Sequence, residues 1–244
     1  MKKPVDIGMN RTGIDSSPLL SREMLSKANL LLSRQTEAEM SDSDLRKECI
    51  READPIGTVP FPGTLKGVAK TSLQKLSGKK PEVFIDKLGE RLAFERSGVR
   101  LYEALIRKYE VQKLGIGGIS LEALQKIKDE ELRHFEIVRD AMKSLGADPT
   151  AMTPCADVTA VSSMGLVQVL NDPRTTVEQC LQAILTAELV DNDGWDLLVK
   201  LAREAGNAEM IQNFERALRE EAGHLEQVRS WVNDITLVEA ERAA

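Results

Sequence analysis

The chain has 244 residues, of which 42% are hydrophobic and 30% are charged, and its formal net charge is −6. This length allows one large or two small domains with a real core, and the composition is typical of a globular protein. No stretch approaches the roughly 18 uncharged apolar residues that a membrane span needs, and the acidic balance argues against nucleic acid as a partner.

The N-terminal segment and the cysteines indicate a cytoplasmic protein. The first residues, M-K-K-P-V-D-I-G, contain lysines but no apolar run after them. Cys49, Cys155 and Cys180 are odd in number and form no C-x-x-C pair. This pattern argues against a disulfide framework and against a zinc or rubredoxin-type knuckle. We therefore expect reduced thiols and no membrane association.

Residues 1–80 have an irregular pattern and are mildly basic, with 14 Lys or Arg against 10 acids. Two stretches, P-L-L-S-R-E-M-L-S-K-A-N-L-L-L and D-S-D-L-R-K-E-C-I-R-E-A, predict short amphipathic helices. The stretch P-I-G-T-V-P-F-P-G predicts an extended loop. Because this segment has little apolar surface of its own, we expect a partly helical extension that wraps on the rest of the chain.

From Pro81 onward, apolar residues recur at alternating spacings of three and four, which is typical of helices packed in a bundle. The pattern predicts helices near 81–112, 119–145, 175–204 and 208–236. Glycines in K-L-G-I-G-G and R-E-A-G-N mark the tips of two helical hairpins. The connection 147–174 contains one short apolar piece, V-S-S-M-G-L-V-Q-V-L, which predicts one or two helical turns.

The inward-facing side of each predicted long helix is apolar except at its middle. There the four helices hold, in chain order, Glu95; Glu131 and His134; Glu188 and Asp191; and Glu221 and His224. A buried carboxylate needs a partner, because removing it from water costs several kcal/mol or more. The two histidines are the only ones in the chain, and each follows a glutamate by three positions.

A pair of divalent metal ions would compensate these charges. Residues three apart share a helix face, so each Glu-x-x-His pair can reach one ion. Four carboxylates balance two divalent ions, and oxygen ligands with one imidazole per ion suit iron, or manganese, better than structural zinc. The ligands also lie about 16 to 18 residues from their hairpin tips, or roughly 25 Å, so they meet at one level.

These motifs resemble those of the ferritin-like di-iron carboxylate superfamily, which includes ferritin, bacterioferritin and rubrerythrin. The resemblance covers about residues 81–240 and rests on four stretches: A-F-E-R-S-G-V-R-L-Y, E-E-L-R-H, T-A-E-L-V-D-N-D-G-W and E-E-A-G-H. It implies an all-α fold, a four-helix bundle over residues 81–244 with a long second crossover and an irregular, partly helical N-terminal extension. It also implies two iron ions, with Glu131 and Glu221 as bridging carboxylates.

The resemblance implies oxygen or peroxide chemistry in iron handling or oxidative-stress defence. Because rubredoxin-type cysteines are missing, electrons would come from an external donor. The 80-residue extension argues against a hollow shell, so we expect a small homo-oligomer, a dimer. Two alternatives remain open at this point: a metal-binding, storage or scaffold protein without turnover, and a di-manganese catalase-like enzyme.

Three further residues have more than one interpretation. Asp191 could be an extra ligand, an acceptor for a histidine N–H group, or a solvated residue that bends its helix. Tyr102 and Trp195 each follow a lone glutamate by seven positions. Core packing is the favoured interpretation for both, with a role in electron transfer as the alternative.

Overall fold

The computed structural model describes residues 18–33, 41–63, 67–68, 80–112 and 118–242. Every regular element in these ranges is an α-helix, so the predicted all-α class is confirmed. In chain order the helices are α1 (Pro18–Ser33), α2 (Asp42–Glu52), α3 (Pro81–Gln112), α4 (Leu121–Ser144), α5 (Pro154–Ser162), α6 (Met164–Asn171), α7 (Val177–Ala205) and α8 (Ala208–Arg242). None of these described helices combines the length and apolar character needed to cross a membrane.

The chain divides into two compact units, Met1–Pro55 and Ile56–Ala244. The first contains α1 and α2, which form where the amphipathic stretches predict them. Residues 55–63, for which the sequence predicts an extended loop, contain neither helix nor strand. The predicted wrapping of residues 1–80 on the remaining chain stays a prediction, and much of 64–79 lies outside the described residues.

The ends of the long helices have local causes. Ser120 accepts a hydrogen bond from the backbone N–H of Ala123, so α4 begins just after it. Thr176 and Gln179 form a reciprocal capping box at the start of α7. Gly206 ends α7 in the left-handed conformation, with φ 68°, as its place in a predicted tip requires. The first predicted tip includes residues 113–117, which are not described.

The four long helices pack as two antiparallel hairpins. Helix α3 packs on α4 and α7 packs on α8, and the pairs meet through α3–α7 and α4–α8 contacts. The side chain of Gln112, at the end of α3, accepts a hydrogen bond of 2.9 Å from Val177 N–H at the start of α7. Arg91, about six helical turns nearer the start of α3, pairs with Asp191, which lies about four turns into α7. Helices α3 and α7 are therefore antiparallel.

The connection between the hairpins runs along α3. Asp86, near the start of α3, accepts a hydrogen bond of 2.9 Å from Cys155 N–H. Lys108, near its end, donates hydrogen bonds to the backbone carbonyls of Asp172 and Thr175. The connection contains two helices, α5 and α6, whereas the apolar piece alone predicted one or two turns. Thr153 caps α5 and Pro154 follows it, which is the signal for this earlier helix.

Two apolar clusters fill the space between the long helices, one on each side of a polar middle. One includes Leu105, Leu124, Ile184 and Trp231. The other includes Leu88, Val138, Trp195 and Phe214. Between them lie the buried charged residues of the four helices. The fold thus places the inward carboxylates and histidines in a layer that apolar side chains close off at both ends.

Candidate metal centre

All the predicted site residues are buried together in this polar layer. Each exposes at most 3% of its surface. These residues are Glu95, Tyr102, Glu131, His134, Glu188, Asp191, Glu221 and His224. They come from the middle parts of α3, α4, α7 and α8, as the helix faces predict. Carboxylates are rarely buried to this degree without compensation, so the cluster needs bound cations, protons or internal cationic partners.

The potential ligand atoms form three overlapping groups. Within each group, the ligand atoms lie no more than 4.8 Å from one another. One group consists of Glu131, Glu188, Glu221 and His224, and a second of Glu95, His134 and Glu221. A third consists of Glu95, Glu131, Asp191 and Glu221. Glu221 belongs to all three groups and Glu131 to two. These two carboxylates therefore lie between the Glu188 side and the Glu95 side of the cluster, and the cluster could hold a metal ion.

Both histidines are oriented in the same way. Nε2 of His134 lies 2.8 Å from Oε2 of Glu220, and Nε2 of His224 lies 2.9 Å from Oε2 of Glu130. Each bond joins α4 to α8, and each fixes the ring so that Nδ1 faces the cluster. Nδ1 of His134 is 2.5 Å from Oε1 of Glu221, but this contact does not have hydrogen-bond geometry.

Several inward-facing atoms of the cluster have no hydrogen-bond partner among the described residues. They are Nδ1 of both histidines, both carboxylate oxygens of Glu95, Glu131 and Glu221, and one oxygen of Glu188. Native proteins rarely leave such atoms buried and unpaired. Because these nitrogen and oxygen atoms converge without hydrogen-bond partners, the chemistry of the cluster fits a cation-binding role.

Glu130 and Glu220 are site residues that the sequence pattern did not single out. Each directly precedes a predicted ligand glutamate, in D-E-E-L-R-H and R-E-E-A-G-H. Each bonds to the histidine of the other motif, so the two motifs complete one another across the α4–α8 contact. The signal that could have revealed them is this repeated Glu-Glu doublet before x-x-His.

Arg91 is the other site residue that sequence reasoning missed. It is 4% exposed, and its guanidinium pairs with the Asp191 carboxylate and donates a 3.0 Å hydrogen bond to the Asp191 carbonyl. Its Nε also lies 3.4 Å from Oε1 of Glu95, one helical turn away. A Cβ atom on Gly194 would overlap this guanidinium, so the glycine makes room for it. Asp191 therefore pairs with an arginine, and glutamates accept the histidine N–H groups instead.

The two aromatic residues contact opposite sides of the cluster. The Tyr102 hydroxyl donates a 2.5 Å hydrogen bond to Oε1 of Glu188. The Trp195 ring makes an edge-on contact with His134, with ring centroids 5.5 Å apart. Both side chains are part of the apolar clusters, as the favoured packing interpretation predicts. Tyr102 additionally holds one of the carboxylates in place.

Burial and mutual repulsion disfavour the charged forms of most of the carboxylates. Burial raises the pKa of Glu95 well above its usual value, and the charge of Asp191 raises it further, although Arg91 opposes both effects. Burial and neighbouring carboxylates likewise raise the pKa of Glu188 well above normal. The pKa of Glu131 is also raised, by burial and by the charge of Glu221.

The imidazoles act in the opposite direction on one carboxylate. Burial would raise the pKa of Glu221, but contacts with His134 and His224 hold it at about 2. Burial would lower the pKa of His224, but Glu131 and Glu221 raise it to about 12. Without a metal, the protonated His224 imidazole therefore supplies part of the positive charge that the cluster needs.

No protein-family model, curated protein or solved structure matches this chain significantly.

Proposed function

We propose that this chain is a ferritin-like four-helix-bundle protein that binds two iron ions and uses them to oxidise Fe(II) or to reduce oxygen or peroxide. The observation that carries the proposal is the convergence of both histidine Nδ1 atoms and the unpaired oxygens of four buried glutamates on one another. Antiparallel helices contribute one glutamate or one Glu-x-x-His pair each, which is the arrangement of di-iron carboxylate bundles.

The charges in the layer support two divalent ions. Arg91 pairs with Asp191, so the other four carboxylates remain to balance four positive charges. Oxygen donors with one neutral imidazole for each ion favour iron or manganese over structural zinc. We propose that Glu188 and His224 hold one ion, Glu95 and His134 hold the other, and Glu131 and Glu221 contact both.

When bound, a pair of iron ions would supply the electron transfers that oxygen or peroxide reduction requires. The protein's own residues fix the ligands and limit the access of water. Glu130 and Glu220 orient the imidazoles, and Tyr102 holds one oxygen of Glu188. The apolar clusters on both sides of the layer exclude water from it. Since the chain has no C-x-x-C motif, we propose that an external donor returns the electrons.

Metal stoichiometry tests the site. We expect the metal-free protein to bind about two Fe(II) or Mn(II) per chain under anaerobic conditions, measured by calorimetry and by elemental analysis after desalting. Glu131→Ala and His224→Ala should each lower binding sharply, whereas Glu226→Ala, at an exposed position on the same helix as His224, should not. Unchanged stoichiometry in the Glu131/His224 double variant would show that the cluster is not a metal site.

Turnover separates the proposed activity from the alternatives. Iron-loaded protein should consume oxygen or peroxide, and manganese-loaded protein should not release oxygen from peroxide at a comparable rate. Tight binding without consumption would instead identify a storage or scaffold protein. Fast oxygen release by the manganese form would identify a catalase-like enzyme.

We also propose a small homo-oligomer, a dimer, in place of a hollow shell. A shell uses most of each subunit's surface for contacts, and an 80-residue extension is hard to accommodate there. Fed with Fe(II) in air, such a protein should oxidise a few ions per site and then release or precipitate the product. Light scattering that reveals a many-subunit particle with a soluble mineral core would contradict this part of the proposal.

A further inference from the structure

The two sides of the candidate metal centre differ in what holds their outer carboxylates. The sequences of α3 and α7 repeat with an offset of 93 residues, which relates Glu95 to Glu188 and Tyr102 to Trp195. At the same offset, the position of Arg91 corresponds to Ile184, and the position of Asp191 corresponds to Gly98. The Arg91–Asp191 ion pair is therefore an addition that has no counterpart in the repeat.

This difference gives Glu95 and Glu188 neighbours of unlike charge. Glu188 receives a hydrogen bond from the neutral hydroxyl of Tyr102. Glu95 faces the guanidinium of Arg91, whose Nε lies 3.4 Å from Oε1. Both side chains of this second contact are buried, at 4% and 0% exposure, so water and salt screen it little. Arginine keeps its charge at every accessible pH.

A fixed cation next to a carboxylate repels a metal ion that approaches the same oxygens. The Tyr102 hydroxyl carries no net charge, so it does not repel an ion in this way. An ion that uses Glu95 should therefore bind more weakly than an ion that uses Glu188.

We propose that the two positions fill in a fixed order, with the Glu188–His224 side occupied first and the Glu95–His134 side second. Arg91 sets this order, and Asp191 moderates it as a positioning residue because it shares the guanidinium with Glu95. The inference rests on the proposed function, since it assigns an order to the same two ions. It concerns binding and does not depend on turnover.

Titration of the metal-free protein with Mn(II) alone tests the order, followed by calorimetry and by low-temperature electron paramagnetic resonance. An isolated Mn(II) ion gives a six-line signal, which weakens when a second ion couples to it. We expect the signal to grow during the first equivalent and to fall during the second. Since two cations repel each other, unequal affinities alone do not reveal the order.

Histidine variants identify which side fills first. His134→Ala should leave the tight step in place and remove the weak one, so that the six-line signal persists. His224→Ala should remove the tight step and leave one ion bound more weakly than the first ion of the unmodified protein. The reverse pattern, or two variants with equal residual affinity, would overturn the inference while the proposed metal site stands. Absence of Mn(II) binding to the unmodified protein would overturn the proposed function and the inference with it.

Variants of the ion pair test the role of Arg91. Asp191→Asn should turn the guanidinium fully towards Glu95, so the second ion should bind more weakly. The double variant Arg91→Met/Asp191→Asn removes the pair without leaving a lone buried charge, so the second ion should bind more tightly than in the unmodified protein. Thermal melting would confirm that both variants fold.

A purely structural ion pair predicts the same direction of change in both variants, and this outcome would overturn the inference. Arg107→Met is the matched control. It removes a cation from an exposed position on α3 and should leave both binding steps unchanged.

Discussion

Raising the pH should destabilise the metal-free protein across the neutral range. One cause is His224, whose pKa burial lowers but whose neighbours Glu131 and Glu221 raise from the ordinary 6.5 to about 12. A raised pKa contributes stability that is complete below the unfolded value and is lost as the pH approaches the folded value. Between pH 6.5 and 8 the folded imidazole keeps its proton, while the unfolded one loses it.

The magnitude follows from proton linkage. One net proton held by the folded state changes the free energy of unfolding by about 1.4 kcal/mol per pH unit. From pH 6.5 to 8 the loss from His224 alone is therefore about 2 kcal/mol, or roughly 4–8 °C in melting temperature for a chain of this size. The raised pKa values of Glu95 and Glu188 act in the same direction. Glu221, with a pKa of about 2, loses its contribution only in acid.

Calorimetric melting of chelator-treated protein at several pH values measures this effect. We expect the melting temperature to fall between pH 6.5 and 8. In His224→Gln, the slope of the free energy of unfolding against pH should decrease by the equivalent of about one proton. Glu226→Gln, an exposed change two residues away, should not alter it. A melting temperature that stays constant or rises over this range would refute the reasoning.

Two further outcomes test individual contacts. Gly98→Ala places a Cβ against the Glu131 carboxylate. We expect this overpacking to lower the free energy of unfolding by about 1–3 kcal/mol and to weaken Mn(II) binding. Its control is Gly223→Ala, which meets open space within the second motif and should stabilise the protein by up to ~1 kcal/mol in thermal melting. Glu130→Gln removes the charge that orients His224 and should weaken binding of the first Mn(II) by about 10–100-fold in calorimetry, whereas an unchanged affinity would exclude this orienting role.

The long helices could be predicted because their evidence is redundant. The apolar spacing repeats over many turns in α3, α4, α7 and α8, so local exceptions do not obscure it. The short helix α5 has no such pattern, and only its cap at Thr153 marks it. The equally short α6 was predicted because its sequence is mostly apolar. The strength of the apolar pattern thus decided how well a sequence predicted its helix.

The candidate site was predictable to the extent that its residues are rare. Two histidines in the whole chain, each three positions after a glutamate, stand out against chance. Arg91, Glu130 and Glu220 belong to residue types that are common on helix surfaces. Only the repeated Glu-Glu doublet marks the two glutamates, and nothing local marks Arg91 as buried. Their roles depend on how far each helix is rotated towards a helix distant in sequence. Spacing along one helix does not contain that information.

The reciprocal bonds between α4 and α8 explain why the two motifs have the same form. The 90-residue offset that relates Glu131 to Glu221 also relates Glu130 to Glu220 and the two histidines to each other. Each half gives its carboxylate to the other half's imidazole, so neither hairpin can orient its own histidine. A symmetric layer of this kind would offer two equal cation positions. Arg91 and Asp191 break the symmetry on the Glu95 side, and so they can give two otherwise equivalent positions different affinities.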